Sequence, residues 1–94
     1  MFIVNIHETG EVILISIVDK NILGKEFSEG NKLLDLNADF YKGKKMSEES
    51  VLKIIKKANQ LNVVGKNIVQ LLKDKGYIKL TQTIDNIPFA HIIL

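Results

Sequence analysis

The chain opens on strict alternation. Phe2, Val4 and Ile6 fall on one side of an extended segment and Ile3, Asn5 and His7 on the other, the period of two that marks a half-buried strand. Glu8-Thr9-Gly10 reads as a tight reversal, and Glu11 to Val18 is a second run, rich in β-branched residues. Two such runs joined by a short glycine-containing link predict a β-hairpin. Asp19-Lys20-Asn21 has turn chemistry, and Gly24 follows Ile22-Leu23 as a second reversal. Lys25 to Phe27 and Lys32 to Leu36 predict two further short strands around Ser28-Glu29-Gly30-Asn31. Asn37 to Lys45 reads as a loop anchored by Phe40-Tyr41.

The period then changes. Ser47 is a good N-cap, because its hydroxyl can accept from a free backbone N–H, and Glu48 and Glu49 sit where the helix dipole favours negative charge. Val51, Leu52, Ile54, Ile55 and Ala58 form one apolar stripe, with Lys53, Lys56 and Lys57 on the opposite face. This pattern predicts a helix over residues 47–59. After a short link from Gln60 to Val64, a second amphipathic helix is predicted over 65–75, with Ile68, Val69, Leu71 and Leu72 inward and Gly76 as its stop. Tyr77 to Thr83 reads as a strand and Asp85-Asn86 as a turn. Ile87 to Leu94 reads as a last strand, with Pro88 at its start or edge because proline has no N–H to give a ladder. The expected fold class is therefore α+β, one domain over residues 1–94. An N-terminal β-hairpin and short strands precede a central helical hairpin, and C-terminal strands complete an antiparallel or mixed sheet.

Composition narrows the function classes. With 46% hydrophobic and 26% charged residues in a 94-residue chain, the sequence can build one core and is not that of a disordered polypeptide. It contains no cysteine, which removes disulfides, thiolate metal sites and cysteine nucleophiles. No basic segment precedes an apolar stretch at the start, and no apolar run approaches a membrane span, so a cytoplasmic protein with no membrane partner is expected. Charge is uneven: residues 1–39 hold three lysines against seven acids, net −4, and residues 40–94 hold ten against four, net +6. All 13 basic residues are lysine. Lysine suits phosphate backbones as a point charge but lacks the fork with which arginine reads bases.

Few residues suggest chemistry. There is no nucleophile elbow, P-loop or dinucleotide fingerprint. His7 and His91 would approach each other only if the first and last strands were neighbours, and two imidazoles do not fill a structural metal site; no metal and no cofactor are expected. Asn62-Val63-Val64-Gly65-Lys66 resembles half of a helix–hairpin–helix turn. Gly65 stands for its second glycine and Lys66 for a phosphate-facing cation, but Val63 takes the place of the first glycine. The alternative is that Asn62 and Gly65 only end one helix and begin the next. Asp35 with Asp39, and Glu26 with Glu29, are carboxylate pairs in turn-like stretches, where acids usually serve the turn. Phe40 and Tyr41 suit either base stacking or closure of a small core.

An ordered set of short motifs runs the length of the chain: Gly24-Lys25 with Phe27 and Glu29-Gly30, Phe40-Tyr41 with Gly43, Asn62-Val63-Val64-Gly65, and Pro88-Phe89-Ala90-His91. Together they resemble an archaeal family described only as domain of unknown function 424. The resemblance implies a small stand-alone archaeal protein of the cytoplasm and brings no enzyme activity with it. Three functions are carried forward. The first is a non-enzymatic module that binds RNA or a ribonucleoprotein through Lys53, Lys56, Lys57, Gly65 and Lys66. The second is a small-molecule site or minor enzyme built on Asn62 and His91, which a cavity joining those two residues would favour. The third is an adaptor that binds protein through an open sheet edge.

Overall fold

The computed structural model describes residues 1–94. Strands β1 (Phe2–Thr9) and β2 (Val12–Asp19) pair as the expected antiparallel hairpin, from Phe2 opposite Asp19 to Thr9 opposite Val12. A separate two-stranded hairpin follows, β3 (Glu26–Glu29) with β4 (Lys32–Asp35). A 3-10 turn at Asp39–Tyr41 leads into the short edge strand β5 (Lys44–Met46) and helix α1 (Glu48–Ile54), whose N-cap Ser47 accepts from the Ser50 N–H. Strand β6 (Gln60–Val64), helix α2 (Lys66–Asp74), and strands β7 (Gln82–Ile84) and β8 (Ile87–Ile93) complete the chain. Six strands form one sheet in the order β5-β1-β2-β6-β8-β7, parallel between β2 and β6 and antiparallel elsewhere. The fold is α+β with a mixed sheet.

The helical hairpin expected at the centre is not there. The two helices exist, but Gln60 to Val64 between them is a strand, hydrogen-bonded to β2 on one side and β8 on the other. The physical reason is burial. Leu61 and Val63 face the helices and Val64 faces the opposite side, and all three are buried, which a solvated five-residue link would not permit. Helix α1 is correspondingly shorter than residues 47–59, because its last turn tightens into a 3-10 turn at Ile55–Lys57. Asn59 then fixes the exit: its Oδ1 accepts from the Ile13 N–H and its own N–H donates 2.8 Å to the Ile13 carbonyl. The strand expected over Tyr77 to Thr83 shrinks to β7, and the segment before it is held by buried Ile78. The turn at Asp85-Asn86 is as expected, with both residues at positive φ (50° and 65°), the conformation a two-residue hairpin loop demands.

Register sorts every central strand into two faces. Phe2, Val4, Ile15, Ile17, Leu61 and Val63 face α1 and α2 and form the main core with Val51, Ile55, Ile68 and Leu72. On the other face, Val18, Val64 and Ile84 form a second, smaller cluster with Ile22, Leu34 and Leu36 from the β2–β4 region. The β3–β4 hairpin thus covers one end of a face that the helices leave open.

Candidate functional site

Beyond the apolar cluster, that second face carries a line of polar side chains. Asn5 stands opposite Ser16, Ser16 beside Asn62, and Asn62 opposite His91, one residue from each of four adjacent strands. Two residues along each strand, the corresponding line is Ile3, Val18, Val64 and Phe89, which belongs to the apolar end. The boundary between second core and polar row therefore crosses the sheet at right angles to the strands.

Most of the row is satisfied within the protein. The Phe40 carbonyl, in the 3-10 turn, accepts from Ser16 Oγ at 3.0 Å and Asn5 Nδ2 at 3.2 Å, and lies 3.1 Å from His7 Nε2. A carbonyl only accepts, so Nε2 of His7 carries the proton. The His7 ring also stacks on Phe40, with centroids 4.4 Å apart and planes 10° from parallel. His91 Nε2 lies 2.9 Å from Gln60 Oε1 and donates to it, which leaves Nδ1 of the neutral ring as an acceptor. Asn62 is the exception. Its half-buried amide makes no side-chain hydrogen bond to the protein, whereas every other member of the row does.

A cavity of about 620 Å³ opens over Asn62 and His91 at this boundary. Its apolar walls include Leu34, Val64, Ile84 and Phe89; Tyr41, Thr81 and Gln82 bring further polar atoms, and Leu33 and Leu80 stand at its rim, 59% and 88% exposed. Burial, with a smaller push from the Asp35 carboxylate, raises the Tyr41 pKa above its ordinary value, so the hydroxyl keeps its proton and can donate. No lysine, aspartate or glutamate lines the cavity. A chain-local reading misses Ser16, Gln82 and Phe89 as site residues. The signals available were Ser16, a lone hydroxyl inside the apolar run Leu14 to Val18, and Phe89, inside the motif Pro88-Phe89-Ala90-His91.

The lysines gather elsewhere, and not as expected. Lys53, Lys56 and Lys75 line one shallow hollow with Tyr77, and Lys53 and Lys57 line another beside Met46. Lys53 is 3.6 Å from Glu49, an exposed pair worth little. Lys66 opens α2, and Lys75 follows its end, so roughly 13 Å of helix separates them. Lys66 therefore does not join the others.

The start of α2 is also closed to a phosphate. The buried carboxylate of Asp19 accepts from the Asn67 N–H at 2.8 Å and the Ile68 N–H at 2.9 Å, the donors an anion would have used. Gly65 is glycine for the same reason: it sits at φ 125°, and a Cβ there would overlap the Asp19 side chain. Burial raises the Asp19 pKa, and the two N–H bonds only partly offset this. Its folded pKa lies above the ordinary 3.8, so its favourable contribution is complete below that value and is lost as pH rises through the folded one. Urea unfolding from pH 3.5 to 6 should therefore show the wild type gaining stability on acidification relative to Asp19→Asn. A parallel pair of curves would contradict this assignment.

His7 and His91 lie three strands apart, roughly 14 Å at the usual strand spacing, and each has its own partner. No three His, Cys, Asp or Glu side chains gather as a metal site. The acidic pairs serve turns: Asp35 accepts from the Asn37 N–H, Asp39 pairs with Lys42 at 3.3 Å, and Glu29 accepts from the Asp85 N–H. No helix is long and apolar enough to cross a membrane.

No functionally curated protein matches the chain. A crystal structure described as an uncharacterized conserved protein from Methanopyrus kandleri shares the fold, with a TM-score of 0.78 at 20% identity over 98% of this chain and 91% of that one. The short motifs noted from Gly24 to His91 fall within a match to one family's sequence profile over residues 6–93, and the chain belongs to that family, described as a protein of unknown function, DUF424.

Proposed function

We propose that this chain is a small-molecule-binding domain whose ligand sits in the cavity over Asn62 and His91. The observation that carries the reading is Asn62. Its half-buried amide has no protein partner and its polar atoms are open to a cavity of ligand-binding size, so its acceptor and two donors are free for a ligand. Its neighbours in the row each have a protein partner, so Asn62 is the member of the row whose side chain is left free.

The substitution Asn62→Leu separates function from structure. Leucine is close to asparagine in volume and removes no hydrogen bond within the chain, so stability should stay within about 1 kcal/mol of wild type or rise. By contrast, Ser16→Ala deletes a buried bond to the Phe40 carbonyl and should cost about 1 kcal/mol. Chemical denaturation of both variants checks the pair. Mapping a fragment mixture by amide chemical shifts should place binders at Asn62, Gln82 and Phe89 in the wild type and lose them in Asn62→Leu. Fragments that cluster only on other surfaces would refute the pocket reading.

A second reading, weak sequence-blind contact with RNA, is favoured by one observation: Lys53, Lys56 and Lys75 surround a single hollow. Such contact would weaken steeply with salt, because released counterions supply most of its free energy. Under this reading Lys56→Glu with Lys75→Glu should abolish binding, and Lys66→Glu should leave it nearly unchanged. A salt series of RNA titrations decides it, and a wild type silent at low salt would remove the reading.

A further inference from the structure

Resting on the pocket reading above, we infer that the ligand presents a neutral, flat heterocycle with a donor–acceptor edge, that is, a nucleobase. The first argument is charge. The only titratable side chains lining the cavity are Tyr41 and His91, and no lysine or carboxylate faces in. A charged group placed there would lose water without gaining a counter-charge. The part of the ligand inside the cavity is therefore uncharged.

The second argument is shape. The walls are the rings of Tyr41 and Phe89 and the side chains of Leu34, Val64 and Ile84, which suit the faces of a planar ring. Aromatic side chains stack with any base through its π-face. The third argument is the edge. Asn62 offers an acceptor and two donors in one plane with no competing partner in the protein, and a carboxamide of this kind pairs with the N6 and N7 positions of adenine through two bonds. Gln82, opposite Phe89 across the β7–β8 ladder, brings a second carboxamide to the mouth. An aliphatic ligand would leave the amides unpaired.

The volume of about 620 Å³ exceeds what a lone base needs, so the rest of a nucleoside or nucleotide has room toward the rim. Two sources share this chemistry: a free nucleoside, and a base displayed by single-stranded RNA.

The test is a set of chemical-shift titrations of the full chain with adenosine, guanosine, cytidine, uridine and a single-stranded oligoriboadenylate. A disaccharide and an acetylated dipeptide amide serve as uncharged controls. At least one nucleoside should give saturable shifts at the Asn62 side-chain amide, Gln82 and Phe89. Asn62→Ala and, separately, Gln82→Ala should weaken that binding tenfold or more while keeping the folded spectrum. Equal affinity for nucleoside and oligonucleotide marks a free ligand; tighter, salt-dependent binding of the oligonucleotide marks RNA, and either supports the inference. Cavity shifts from the disaccharide or dipeptide alone would overturn the nucleobase and keep the pocket. Silence of the cavity toward every probe, together with no cavity binders among fragments, would overturn both.

Discussion

Replacing Ile55 with aspartate should leave the chain unfolded at 25 °C. Ile55 is fully buried in the turn that closes α1, packed within the main core. Truncating such a side chain costs about 2–5 kcal/mol through lost transfer energy and the cavity that remains. The new carboxylate adds several kcal/mol more, because no cationic side chain is buried in that cluster to pair with it. A domain of this size is stable by roughly 5–14 kcal/mol, so the sum consumes most or all of that margin. Two controls locate the effect. Ile55→Val should cost only about 1 kcal/mol, and Lys56→Asp, one residue on but exposed, should stay within about 0.5 kcal/mol. Circular dichroism through a guanidinium series reads all three; a cooperative, near-native transition in Ile55→Asp would show that the helices pack by another face.

Gly65→Ala should be nearly as damaging, though it adds one methyl group. At φ 125° an L-residue is strained, a cost of about 1–3 kcal/mol. The methyl would also overlap Asp19, which cannot move aside without releasing the Asn67 and Ile68 N–H groups. Overpacking of this kind costs about 1–3 kcal/mol, and loss of the helix cap about 1–2 more. The expected total is about 3–8 kcal/mol. Asp19→Ala alone should cost a few kcal/mol, since one buried and one part-buried donor lose their acceptor. In the Asp19→Ala background the steric part of the Gly65→Ala penalty disappears, so the double variant should be less destabilised than the two single effects added. Additive costs in that cycle would mean that Gly65 and Asp19 do not meet as described.

The same pair shows why part of the site was legible only locally. Gly65 and Lys66 were correctly marked as the start of a helix, because helix starts leave a signature within a few residues. What lies against that start is Asp19, 46 positions earlier, and no local signature announces it. A carboxylate delivered by the end of β2 makes the candidate phosphate site a sealed structural contact.

Local pattern alone determined the β1–β2 hairpin, the Asp85-Asn86 turn and the two helices with their buried stripes, and the order of these elements gave the α+β class. Each rests on side-chain period or turn chemistry over fewer than about 20 residues, the range at which sequence and backbone conformation are directly coupled. Tertiary structure decided the rest. Gln60 to Val64 became a central strand because β2 and β8 supply partners for both of its edges, and five residues carry too little periodicity to reveal this alone. Asn62 and His91 were singled out separately, but their pairing across one ladder, their place in a row with Asn5 and Ser16, and the cavity above them are consequences of strand register. Register is set by the burial of the whole opposite face: Val4, Ile17, Val63 and Ala90 must point together into the helices, and that requirement places Asn5, Ser16, Asn62 and His91 together on the other side.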